Sequence, residues 1–195
     1  MEETFRHCYS INNINFGNSP TSSLQILKET FRANYNLLYV DLSSFDFTQM
    51  TDIRGSFFDC YNLQSVNFGN SPTSSLEYIF QLFFKCYSLK SVDLSNFKTS
   101  KVKDMSFLFF ECFALESPVL SSFDTTNVEN MGFMFFSCNS LKSLDISNFV
   151  TTNVANFESM FWGCTGFRYL DLSHFLTPKW QMQKLCLRVQ TGYFI

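Results

Sequence analysis

The chain has 195 residues, 26 of them Phe, with 16% charged residues and a net charge of -3. A disordered chain needs few aromatics and much charge, and a phosphate-driven nucleic-acid binder needs a basic excess that 14 Lys and Arg against 17 Asp and Glu do not supply. Seven Cys, an odd number, argue against a fully paired disulfide framework, and no apolar run reaches the ~18 residues of a membrane span.

The chain opens Met-Glu-Glu-Thr-Phe-Arg-His-Cys, acidic and without the apolar stretch of a signal peptide. Glu3-Thr-Phe-Arg6 recurs at Glu29 to Arg32, so the start reads as the tail of a truncated unit with no distinct cap. Cys60, Cys86, Cys112, Cys138 and Cys164 stand 26 residues apart, Cys8 lies two periods before Cys60, and Asn34 fills the slot between. A fixed period of this size signals a solenoid. The expected organisation is a partial leading repeat (1–7), then seven 26-residue units over 8–189 beginning at 8, 34, 60, 86, 112, 138 and 164, and a tail (190–195). A longer duplication overlies this: Phe16-Gly-Asn-Ser-Pro-Thr-Ser-Ser-Leu24 recurs unchanged at Phe68 to Leu76.

Each unit begins with a strand pattern. In Leu141-Lys-Ser-Leu144-Asp-Ile146 the spacing matches the L-x-x-L-x-L core of leucine-rich repeats, and Leu144 and Ile146 alternate with polar residues as in a strand with one buried face. Leu89, Val92, Leu94 and Leu37, Val40, Leu42 repeat the pattern, which predicts a parallel sheet with about 4.8 Å between neighbours. A corner follows, and then a change of period. Val128, Met131, Met134, Phe135 and Val102, Met105, Leu108, Phe109 carry the stripe of a short helix or helical turn. Ser22/Gln25, Ser74/Glu77 and Thr126/Glu129 read as capping boxes at its start. The predicted fold is an α/β solenoid of leucine-rich repeats, with a parallel sheet on one face and short helices or helical turns on the other.

The run Cys-x-x-Leu-x-x-Leu-Asp-Leu-Ser-Asn-Phe-x-Thr-Ser-x-Val-x-x-Met-x-x-(Met/Leu)-Phe, clearest over Leu89 to Phe109 and Leu141 to Phe161, resembles BspA-type leucine-rich repeat surface proteins. The match runs from about Cys8 to Thr177. The resemblance implies a leucine-rich-repeat solenoid among bacterial, mycoplasmal or protist surface proteins that bind host or extracellular ligands, and it implies no catalytic residue. Two departures stand out. Phe45, Phe97, Phe123, Phe149 and Phe175 occupy the corner where leucine-rich repeats carry Asn or Cys, with Ser19 and Ser71 there in the Gly-Asn-Ser-Pro units. In the last unit Pro178, Trp180 and Gln183 break the pattern, and removing one residue of register returns Met182, Leu185 and Cys186 to it, so 179–195 reads as a divergent unit or a foreign tail.

Three surfaces are candidates for function. The Cys column has no C-x-x-C, and only His7 and His174 could assist it, so the reading is buried thiols with no metal and no cofactor. The strand face carries Asp41, Asp93, Asp145 and Asp171 in a column with Asn15, Asn67 and Val119, beside Tyr39 and Tyr169. It reads either as a ligand surface for a protein or host-surface partner or as a solvated face, with Lys90, Lys142 and Arg168 placed to offset the carboxylates. The third is the file Phe58, Phe84, Phe110, Phe136 and Trp162, each following an inward Phe. Exposed, it is an interface that suits an intracellular scaffold or self-assembly through the file and uncapped ends; turned inward, it is core. Asp171, Ser173 and His174 lie close in sequence but in a strand-and-corner run, a poor setting for a triad.

Overall fold

The computed structural model describes residues 1–17 and 23–176. The divergent last unit over 179–195, its boundary at 189, the corner residue Ser19 and the cap Ser22 lie outside the described residues. Three short strands, β1 (Asn13–Asn15), β2 (Tyr39–Asp41) and β3 (Ser65–Asn67), form a parallel sheet in the order β1-β2-β3. The register is 26 residues: Ile14 pairs with Val40 and Val40 with Val66. These three valine and isoleucine side chains point into the core while their neighbours face out, as period-two alternation requires. Further along, pairing reduces to a single bridge between Asp93 and Val119. Pro118 follows Val92 at the same 26-residue spacing, and a proline has no N–H to give to a ladder.

The short helices expected in the second half of each unit are not formed: among the described residues there is no helix. Overlapping four-residue turns take their place. Thr30 N–H donates to Leu27 O and Arg32 N–H to Glu29 O, while the alternate N–H groups of Leu27, Glu29, Phe31 and Ala33 reach forward to the carbonyls of Asp52, Arg54, Ser56 and Phe58. Glu29 and Ala33 have positive φ, 50° and 59°, and the same two places recur at Gln81 and Lys85, Phe107 and Glu111, Phe133 and Ser137. Positive φ at the third residue of a turn is the type II signature and is incompatible with a right-handed helix. The physical reason is spacing. Phe5, Phe31, Phe57, Phe83, Phe109, Phe135 and Phe161 form one continuous ring stack with centroids 5.2–5.7 Å apart. Helices about 10 Å across cannot follow one another at that interval, whereas a single layer of backbone can.

The capping boxes fail with the helices. Ser74 Oγ donates to the Thr48 carbonyl of the preceding coil, and Thr126 N–H is held by Asp124. The hydroxyls that matter sit one place earlier: Thr73, Thr99, Thr125 and Thr151 are buried and form a column. Thr99 Oγ1 donates to Asp124 O and accepts from Asp124 N–H, and Thr125 does the same with Val150.

The corner phenylalanines Phe45, Phe97, Phe123 and Phe149 are buried. Where Ser71 replaces the corner ring, the last core position of β3's coil holds Phe68 instead of the leucine found at Leu42 and Leu94. The Phe68 ring packs edge-on against Phe57, Phe83 and Phe97. One large and one small residue have exchanged places, and the layer keeps its volume.

Candidate binding surfaces

On the strand face each acidic residue is tied to its own corner. The Oδ1 atoms of Asp41, Asp93, Asp145 and Asp171 accept the N–H of Ser43, Ser95, Ser147 and Ser173 at 2.8–3.1 Å, and Asn15 and Asn67 do the same for Gly17 and Gly69. These are Asx turns, and they close the strand. Hydrogen bonds from the serine hydroxyl and N–H hold the carboxyls of Asp41, Asp145 and Asp171 below the usual range. Lys142 pairs with Glu116 at 3.3 Å, so the charge on the Asp column is offset by turn N–H dipoles where lysine was expected. Asn67 Nδ2 also donates to Asp41 across neighbouring coils. Tyr169 stands 65% exposed beside this column and Tyr39 is half-buried. Asp93, Asp145 and Asp171 are exposed.

The aromatic file is a second ring stack. Phe58, Phe84, Phe110, Phe136 and Trp162 follow one another at 4.3–4.7 Å with ring planes within 15° of parallel. The four phenylalanines are half-buried and Trp162 is 38% exposed, so the file is neither core nor fully exposed. Because each ring face covers the next, the stack shows ring edges to solvent. Phe107 and Phe133 stack beside it at 4.9 Å and widen the apolar strip. The same two columns begin very differently. One period before Phe58 stands Arg32 and before that Arg6, while Glu29 and Glu3 lie three and four periods before Phe107. Arg6 bonds Glu3 and Glu29, Arg32 bonds Glu29, and the Arg32 guanidinium covers the Phe58 ring at 4.1 Å. An ion-pair ladder thus becomes an aromatic ladder along one face.

A third stack went unread in the sequence. Tyr9, Tyr35, Tyr61, Tyr87 and Phe113, each following a Cys or the Asn34 that replaces one, stack at 4.8–5.1 Å. The signal was there as an aromatic at the same place in five successive units. Between this ladder and the Phe file run Asp59, Lys85 and Glu111; burial and the Asp59 charge raise the Tyr61 phenol above its ordinary range.

The thiols of Cys60, Cys86, Cys112, Cys138 and Cys164 are free and buried, and each Sγ donates to a core Phe carbonyl of the preceding coil at 2.9–3.1 Å. Burial pushes the Cys60 thiol up to about 12, which keeps the proton the bond requires. Asn34 plays the same part through Nδ2, bonding Phe5 O and Phe31 O. Among the described residues no three of His, Cys, Asp and Glu converge on a common point. His174 turns to the Ile146 carbonyl and Asp171 to Ser173 N–H. No helix among the described residues is long and apolar enough to cross a membrane.

Parallel coils at a 26-residue register, buried Leu and Phe columns and a polar strand face define a leucine-rich repeat protein. The chain belongs to the BspA type leucine rich repeat family, whose model matches residues 1–108 in six copies. The family described as Mycoplasma protein of unknown function, DUF285, matches residues 78–190. No curated protein matches the chain. Among solved structures it is similar to a leucine rich cell surface protein from Faecalibacterium prausnitzii A2-165, at 12% identity and a TM-score of 0.35 over 98% of this chain. The chain spans 66% of that protein's length.

Proposed function

We propose that the chain is a non-enzymatic leucine-rich-repeat solenoid acting as a binding module, with the aromatic file as the surface that contacts a protein on a host or neighbouring cell. One observation carries this choice of surface: Arg6 and Arg32 occupy the file's column in the first coils, so packing does not demand rings there. Five stacked aromatics at Phe58 to Trp162 are then surplus to folding, and aromatic side chains are the residues that anchor interfaces. Rings held by their neighbours also lose little freedom on binding.

The test copies the first coils onto the fourth. Phe107→Glu with Phe110→Arg recreates the Glu29–Arg32 pair, which lies at 3.1 Å with the same separation of three residues. The double variant should melt as the parent does. It should lose about tenfold or more in saturable adhesion of the labelled protein to cultured epithelial cells. Unchanged adhesion removes the file from the binding surface. Light scattering on the same pair reads the self-assembly alternative, since an interface between copies would dissolve with the rings.

The strand face is a second reading, favoured by Tyr169 standing exposed beside the pinned carboxylates of Asp145 and Asp171. Under it, replacing Asp93, Asp145 and Asp171 with Asn, which keeps the turn acceptor, should abolish adhesion while Phe107→Glu/Phe110→Arg does not. Retained adhesion in the Asn variant ends that reading.

A further inference from the structure

Among the described residues, one junction between coils is open on the turn side. Elsewhere on the turn side, a single carbonyl accepts two successive N–H groups of the following coil: Gln25 O takes Thr51 and Asp52, Thr51 O takes Glu77 and Tyr78, and Lys103 O takes Glu129 and Asn130. The bonds from Lys103 and Asp104 N–H to Glu77 O are not formed, and neither is the return bond from Ile79 N–H to Asp104 O. The bridges Asp52–Tyr78 and Asp104–Asn130 flank the gap, with none between Tyr78 and Asp104. A cleft of about 480 Å³ lies there, lined by Glu77, Tyr78, Phe80, Lys101, Lys103 and Asp104.

The lining has a definite chemistry. Tyr78 interrupts a column of Asx acceptors, Asp52, Asp104, Asn130 and Asn156, so its coil lacks the side-chain oxygen that closes the corner elsewhere. The Arg54 guanidinium of the preceding coil sits 4.8 Å from the Tyr78 ring and 5.5 Å from Phe80. That cation covers the side of the rings facing the preceding coil. On the side facing the cleft the next residues in register are Asp104 and Ser106, which carry no ring to cover them. At the paired junctions the corresponding N–H groups, those of Glu77 and Tyr78 and of Glu129 and Asn130, are taken by the preceding coil, whereas those of Lys103 and Asp104, which border the gap, make no such bond. Lys101 and Lys103 stand at its rim; the Lys103–Glu129 pair is 74% and 60% exposed, and such a pair gives way readily to a better partner.

We infer that this cleft binds an acidic monosaccharide. A carboxylate takes the paired N–H groups of Lys103 and Asp104 and the two ammonium groups. The apolar face of the sugar ring lies on Tyr78 and Phe80, and its hydroxyls donate to Glu77 and Asp104. The volume suits one or two sugar rings. A neutral sugar leaves the N–H pair without an anion, and an acidic peptide such as triaspartate brings no apolar ring face to lie on Tyr78 and Phe80. The site is separate from both the aromatic file and the strand face.

Saturation-transfer NMR on the whole chain with sodium D-glucuronate as probe, and glucose as the neutral control, tests this. Glucuronate should bind saturably, and glucose about tenfold or more weaker. Lys101→Glu with Lys103→Glu should abolish the transfer at an unchanged melting temperature, and Tyr78→Ala should weaken it for glucuronate and glucose alike. Absence of saturable glucuronate binding by the parent overturns the inference. So does binding that survives the double lysine reversal, or that triaspartate displaces more readily than glucuronate itself, since an acidic peptide would then be the ligand.

Discussion

Replacing Phe109 with Ala should lower stability by about 3–5 kcal/mol, the range for a large ring deleted from a packed interior. Phe109 is fully buried and lies 5.6 Å from Phe83 and 5.4 Å from Phe135 in the central stack. The cavity cannot close by letting the neighbouring coils approach. Their spacing is fixed by backbone bonds on both sides, Phe83 N–H to Leu108 O and Phe109 N–H to Met134 O. Each repeat contacts only its neighbours, so a lesion midway along the stack also weakens the coupling between the two halves. Urea unfolding should show a lower midpoint with a broadened or split transition. Residue 110 sharpens the expectation: it is the same amino acid one place on, yet Phe110→Arg paired with Phe107→Glu should be close to neutral. A loss under about 1 kcal/mol for Phe109→Ala would show that the stack is not the axis of the fold.

The central stack is legible because it repeats in register with the cysteines: the pattern places Phe57, Phe83, Phe109, Phe135 and Phe161 inward, and they are buried. The Val40, Leu42 and Leu37 strand pattern likewise gave β2 its inward face. The conformation of the second half was not legible. Apolar residues at every third or fourth place, as in Val102, Met105, Leu108 and Phe109, turn inward both in a helix and in a run of overlapping turns. Only the distance between coils separates the two, and that distance is set by the ladder as a whole. The Asp column presents itself in the sequence as charge, yet Asp-x-Ser and Asn-x-Gly repeated at Asp93, Asp145 and Asn67 carry the pattern of a turn acceptor. For the file from Phe58 to Trp162 the sequence admits both core and surface, and the ring stack shows why a helical projection does not decide: among the described residues there is no helix to project around. The open junction at Tyr78 had no sequence signal beyond the loss of one Asx residue.

Thr125→Val should cost about 2–3 kcal/mol although it changes neither volume nor shape, because it strands two backbone groups at once. Thr125 Oγ1 donates to Val150 O at 2.9 Å and accepts Val150 N–H at 2.7 Å. A hydroxyl is a single donor with spare lone pairs, so at this size it alone can stand in for a peptide unit on both counts. The column Thr73, Thr99, Thr125 and Thr151 therefore bridges neighbouring coils at the corner, where chain direction changes and backbone pairing lapses. Where Phe47 occupies the slot, the next coil has Pro72 at the place of Lys98, Asp124 and Val150, with no N–H to offer a hydroxyl. The threonine is missing where its donor is missing, which argues that the hydroxyl is there for that peptide group. Thr125→Ser, which keeps the hydroxyl and loses one methyl, should cost only about 1 kcal/mol. Denaturant midpoints for the two variants give the comparison, and amide exchange at Val150 gives the local one, with protection falling in the valine variant and held in the serine variant. Equal losses in both would mean that the methyl packs and the hydroxyl is idle.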